Sequence, residues 1–153
     1  MNAIFKKMNY KDQARILVLH APEAFEEAIA DMQVITRVDR SIDETHVYTY
    51  ALIFTKMEAD LHAAIPQIQD RLAEDAILYF AYPKKSSKKY KSDINRDSGA
   101  WKPLGELGYE GVRMVAIDAD WSALRFRQAS KIKSMTRRNS MALSEEGKER
   151  TKK

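Results

Sequence analysis

The chain has no cysteine among its 153 residues. Disulfide stapling, zinc–thiolate sites, iron–sulfur clusters and thiol nucleophiles are excluded, and a reducing cytoplasm is compatible. Glycine is scarce and unevenly placed: the five glycines lie at positions 99, 105, 108, 111 and 147, so none precedes Gly99. There is no Gly-x-x-x-x-Gly-Lys phosphate loop and no Gly-x-Ser-x-Gly nucleophile elbow. Long apolar runs are also missing. The opening MNAIFKKMNYK has no apolar signal core, and no stretch is long enough to span a bilayer. A cytoplasmic protein with no membrane association is expected. The three histidines, His20, His46 and His62, have no His-x-x-x-His spacing, so no metal site is expected.

What is present has the balance of a single globular domain, with 44% hydrophobic and 31% charged residues. The net charge of +4 hides an asymmetry. Residues 1–83 carry 8 Lys and Arg against 13 Asp and Glu, a balance of −5, and residues 84–153 carry 18 against 9, a balance of +9. Such polarity suggests an anionic partner for the second half, although a basic loop and tail also serve solubility alone.

The apolar patterning alternates between strand and helix. Ala14 to Leu19 reads as a buried strand, and Pro22 opens a helix with Phe25, Ala28, Ile29 and Met32 on one face. Gln33 to Arg40 reads as a half-exposed edge strand, and Val47 to Thr55 as a central one. Glu58 to Glu74 carries Leu61, Ile65, Ile68 and Leu72 on a helical stripe, which Pro66 should kink or break. Ile77 to Tyr82 is a buried strand ending abruptly at Pro83. After a lysine-dense loop, Ser92 or Asp93 is placed to cap a short helix toward Trp101. Val112 to Ile117 and Ala123 to Arg127 form an antiparallel hairpin about the Asp118–Ser122 turn. The expected fold is α/β, a three-layer Rossmann-like open sheet, mostly parallel, with a C-terminal antiparallel hairpin. Residues 1–129 form the domain, and residues 130–153 form a basic, flexible tail suited to ordering on a protein partner.

This order of elements resembles a pared-down class I methyltransferase, a family whose last two strands form a hairpin at the sheet edge. Four segments resemble a small bacterial domain family of unknown function with a Rossmann-like fold. They are Ala21-Pro22-Glu23-Ala24-Phe25, Pro83-Lys84-Lys85, Ser92-Asp93, and Trp121 to Arg125, and the likeness covers roughly residues 8–128. It implies a fold and no assigned reaction. The methyltransferase comparison implies S-adenosylmethionine as a cofactor, reached through a glycine-rich turn after the first strand. That turn here is His20-Ala21-Pro22-Glu23, which argues against the cofactor.

Two groups of residues are candidates for a site. The first is the loop after the Ile77–Tyr82 strand: Lys84, Lys85, Lys88 and Lys89 supply charge, Ser92, Asp93 and Asn95 fix the loop, and Arg96 adds a cation. Such a loop can neutralise the phosphates of nucleic acid or another polyanion, with Tyr90 available to stack. It can equally be a solvated connection. Asp93 and Asp97 would share a helical face and hold a cation, or more simply cap and pair with Arg96. The second group is a crevice beside the first strand, with His20, Glu23, Asp39 and Lys56, where Asp39 has the position of a ribose-binding acid. Trp101 and Trp121 are expected to cover a sheet edge, and Arg125 and Arg127 to extend a basic stripe toward Lys131 and Lys133. The favoured function is a non-enzymatic binding module for an anionic ligand. A divergent methyltransferase-like or nucleotide-binding enzyme and a partner-binding subunit are the alternatives.

Overall fold

The computed structural model describes residues 2–95 and 99–131. Arg96, Asp97, Lys133 and most of the expected tail lie outside the described residues. Ser130 and Lys131, assigned to the tail, instead form a 3-10 turn with Ala129, and Lys131 pairs with Glu74.

Among the described residues, six strands form one mixed sheet: β1 (Arg15–Leu19), β2 (Arg37–Asp39), β3 (Tyr48–Phe54), β4 (Leu72–Pro83), β5 (Tyr109–Ala116) and β6 (Trp121–Gln128). Their order is β2-β1-β3-β4-β6-β5. The pairs among β1 to β4 are parallel, whereas β6 runs antiparallel to both β4 and β5. Among the described residues, four α-helices accompany them: α1 (Ala3–Lys7), α2 (Glu26–Gln33), α3 (Glu58–Ile68) and α4 (Lys102–Glu106).

Consecutive strand residues feed two separate apolar clusters. Leu17, Ala51, Ile53, Leu78 and Phe80 pack with Leu61, Ile65 and Ile68 of α3 and Leu104 of α4. Val18, Tyr50, Leu52, Tyr79 and Ala81 pack with Phe5 of α1 and Ile29 and Met32 of α2. Because side chains alternate along a strand, the central strands are apolar on both faces, which is why they read as unbroken hydrophobic runs.

Several sequence expectations change, the hairpin among them: β5 begins at Tyr109 and β6 at Trp121, so Trp121 and Ser122 are strand rather than turn. The edge strand is only Arg37–Asp39, because Gln33 ends α2 and Val34 and Ile35 are exposed. The helix expected through Glu74 ends at Ile68, two residues beyond Pro66, and Leu72 begins β4 after a 3-10 turn. Pro66 lacks an N–H, but near the last turn only one internal bond is lost. The register of β4 against β3 jumps from Tyr48↔Leu72 to Tyr50↔Ile77, with Asp75 in the left-handed region at φ 54°. Aspartate tolerates that conformation better than most residues.

Phe80 is fully buried at the centre of β4 and meets Phe126 edge-on at 6.0 Å. Phe80→Ala should destabilise the fold by about 3–5 kcal/mol, read as a lowered urea midpoint. A midpoint equal to wild type would contradict this packing.

Candidate functional site

The carboxyl ends of β1 and β3 open onto a cleft of about 330 Å³. His20 follows β1, Phe54, Thr55 and Lys56 end β3, Asp60, Ala63, Ala64 and Gln67 come from α3, and Trp121 begins β6. The two alanines leave the space that larger side chains would fill. β2 and β3 lie on opposite sides of β1, so the strand order reverses at this cleft. Open α/β sheets bind ligands at such a reversal, outside the carboxyl ends of the strands.

Local geometry gives the cleft its chemistry. His20 has φ 58°, a left-handed conformation more often taken by glycine, and it projects a ring where a glycine turn would leave bare backbone. Thr55 donates its hydroxyl to the Ala81 carbonyl at 3.1 Å, tying β3 to β4 beneath the opening. The Trp121 indole N–H is buried and has no acceptor among the described residues. An unmatched buried donor is uncommon and calls for an explanation.

The lysine loop lies over the neighbouring strand ends. Its backbone is fixed by the Lys84 N–H donating to the Asp120 carbonyl at 2.7 Å and by the Ser87 hydroxyl donating to Asp120 Oδ1 at 2.8 Å. Tyr90 packs on Trp121 with ring centroids 5.2 Å apart, and the Lys56 and Lys89 ammonium groups lie 5.0 and 5.4 Å from its ring centre. Tyr90 is therefore already engaged, which corrects the expectation that it is available to stack on a base. Lys85, Lys88, Lys89 and Lys91 are exposed and Lys84 is half-buried. Among the described residues, neither they nor Lys56 pairs with a carboxylate.

Asp93 does not sit on a helix, which corrects both the local cap and the shared face with Asp97. Its Oδ1 instead accepts the Glu58 N–H at 2.6 Å, while Asp60 Oδ2 accepts the Met57 N–H at 3.0 Å. Two carboxylates thus occupy the positive end of α3. Ser92 Oγ accepts the Ile94 N–H at 3.0 Å, and the Asn95 carbonyl accepts the Trp101 indole N–H at 2.8 Å. Both tryptophans are buried in the core, Trp101 against Tyr82 and Phe126, and Trp121 against Phe54. They do not cover a sheet edge, since β6 is internal.

Of the crevice residues, His20 and Lys56 meet in the cleft. Glu23 is exposed in a 3-10 turn and does not line it. Asp39 is also elsewhere. Arg15 donates to its Oδ2 at 2.8 Å, Arg37 to its Oδ1 at 3.1 Å, and the Tyr48 hydroxyl donates to it as well. Burial pushes the Asp39 carboxyl up, but these donors outweigh it and hold the group below the usual carboxylate range. Arg15 also holds Asp43 at 2.7 Å. The Thr45 hydroxyl, then Arg15, then the Thr45 N–H keep the Asp43 carboxyl well below its ordinary value. This network links β1, β2 and β3 and leaves Asp39 no free oxygen for a ribose. The basic stripe is corrected in part: Arg127 pairs with both oxygens of Asp75, at 2.9 and 2.8 Å.

No three described His, Asp or Glu residues are grouped to hold a metal, and no described helix is long and apolar enough to cross a membrane. No protein-family model and no curated protein matches the chain.

Two predictions follow from this wiring. Because Asp39 and Asp43 are depressed in the folded state, their stabilisation is complete above the unfolded carboxylate pKa of about 3.9 and is lost as pH falls below it. Arg15→Met should therefore be less stable at neutral pH and lose less further stability between about pH 4 and pH 2. An acid profile parallel to wild type would show that Arg15 does not hold the pair. Asp93→Ala should cost about 1 kcal/mol in chemical denaturation, the magnitude of a lost helix cap.

Proposed function

We propose that the chain is a non-enzymatic, Rossmann-like three-layer α/β module that binds a phosphate-bearing ligand, nucleotide or nucleic acid, across the carboxyl edge of its sheet. The observation that carries this reading is the set of cations at that edge. Lys56, Lys84, Lys85, Lys88 and Lys89 have no carboxylate partner among the described residues, whereas Arg15, Arg40, Arg127 and Lys131 are each paired. The reversal of strand order at the cleft supports the same site. So does the unmatched Trp121 N–H, which a ligand oxygen would satisfy.

A methyltransferase-like enzyme would share the antiparallel β5–β6 pair at one end of the sheet. An S-adenosylmethionine site finds less support. Asp39 is held by three donors, and His20, Ala21 and Pro22 fill the first turn. The partner-binding alternative rests on residues outside those described.

Thermal unfolding with nucleotides, short DNA and RNA, and S-adenosylmethionine tests the reading. A ligand at 100 times its Kd that binds only the folded state stabilises by about 2.7 kcal/mol. Stabilisation by nucleotide or oligonucleotide should fall steeply with salt and disappear when Lys84, Lys85, Lys88 and Lys89 are all changed to Gln. Stabilisation by S-adenosylmethionine alone, unaffected by salt, would replace this reading with the enzymatic one.

A further inference from the structure

Away from the carboxyl edge, two arginines face each other across the last two strands. Arg113 on β5 is the register partner of Arg125 on β6, and Arg125 is in turn the partner of Tyr79 on β4. Directly opposed like charges on a sheet repel. Elsewhere the sheet matches its arginines with acids, as Arg15 and Arg37 are matched with Asp39. Arg113 and Arg125 have no carboxylate partner among the described residues. Asp75 feels the Arg125 charge, but both of its oxygens are bound by Arg127. The buried Glu110 stands opposite Arg127, not opposite Arg125.

The Arg125 Nε is buried without an acceptor, while the rest of its side chain is half-buried and Arg113 is exposed. The pair therefore opens to solvent on the β5 side. Burial pushes the Tyr79 hydroxyl up and the charges of Arg125 and Arg113 pull it back. That hydroxyl donates a hydrogen bond to Asn9 Oδ1, which holds it in place. Two unmatched guanidinium forks, one with a buried N–H lacking an acceptor, form an arrangement that a bound oxyanion relieves.

We propose that Arg113 and Arg125 form a second site, on the face of the sheet that carries Tyr79, and that it takes a phosphomonoester group. Two fixed positive charges match the charge of about −1.5 to −2 on a phosphomonoester at neutral pH better than the single charge of a carboxylate or phosphodiester. The site is distinct from the carboxyl-edge cleft. Arg125 comes four residues after Trp121 along β6, a separation of roughly 13 Å at the usual rise of a strand.

The test is a phosphorus NMR titration of the full chain at constant ionic strength, with glycerol phosphate, dimethyl phosphate and inorganic phosphate, and with acetate as a competitor. Glycerol phosphate should bind more tightly than the diester and resist acetate. Arg113→Gln and Arg125→Gln should each weaken it about tenfold or more, the cost of a charge-assisted contact. Because Arg113 is exposed, its variant keeps the test open should Arg125→Gln fail to fold. Inorganic phosphate binding as tightly as the ester would assign the site to the phosphate group alone; tighter binding of the ester would assign it to a phosphorylated molecule, and both sustain the site. Absence of binding, equal binding of the diester, or unchanged affinity in both arginine variants would overturn it. Binding lost only in the lysine-loop variant would overturn this site while leaving the carboxyl-edge reading intact.

Discussion

The structure depends on the burial of β4 on both faces while its two neighbours run in opposite senses. Leu78 to Tyr82 are all buried, with β3 parallel on one side and β6 antiparallel on the other. A strand so placed needs apolar cover from both faces, and the two clusters supply it through different helices. The strand ends where it must, because Pro83 has no N–H to extend a ladder. The next amide, of Lys84, bonds back to Asp120 in the β5–β6 turn. The antiparallel neighbour therefore fixes where the loop begins, and it brings Trp121 opposite Pro83 at the wall of the cleft. Loop, cleft and hairpin turn are consequences of one strand's surroundings.

Charge in the chain is polarised by sequence, but the fold redistributes it. Some acids of the first half are paired with cations of the second. Asp75 and Glu74 reach Arg127 and Lys131 of the basic half, and Asp39 and Asp43 are taken by Arg15. After these pairings the lysines of the loop after β4 and the Arg113–Arg125 pair are left without a carboxylate partner among the described residues, as are Lys6, Lys7, Lys11, Lys56, Arg71 and Lys102 elsewhere. A net charge says nothing about such pairing, so the loop is legible in the sequence and the pairing of Arg113 with Arg125 is not. Arg125 looked like a continuation of Arg127. In the fold Arg127 is neutralised and Arg113 is the true neighbour of Arg125, through a register shift between Gly111 and Arg113 that no spacing rule reveals.

What the sequence disclosed was what local chemistry decides. Tyr48–Phe54 and Ile77–Tyr82 are β-branched and aromatic runs of strand length, and the turn near Asp118 declared the hairpin. The first half of β4 was hidden because Leu72-Ala73-Glu74-Asp75-Ala76 has a helical composition. It becomes a strand through pairing with β3 and an ion pair with Arg127, and both lie far away in the chain. The roles of Asp39 and Asp93 were hidden for the same reason. Asp39 reads as a ribose-binding acid in the crevice and Asp93 as a local cap, yet one answers to Arg15 on the adjacent strand and the other to the amide of Glu58, 35 residues earlier. His20 and Lys56 were legible because strand ends converge wherever strands are parallel neighbours.

The scarcity of glycine also constrains how any anion can be held at this edge. A phosphate met by backbone amides needs a chain free of Cβ atoms or an open helix N-terminus. The described residues offer neither at the cleft. His20 takes the left-handed turn with a full side chain, and the start of α3 is closed by Asp93 and Asp60. Recognition at the cleft is thereby left to side chains, to Lys56, His20 and the indole N–H of Trp121, with the loop lysines beyond. Ammonium groups on flexible stems attract charge without fixing its orientation. A site of that kind would favour affinity tuned by ionic strength over rigid positioning, and the proposed binding role rests on that property of the side chains.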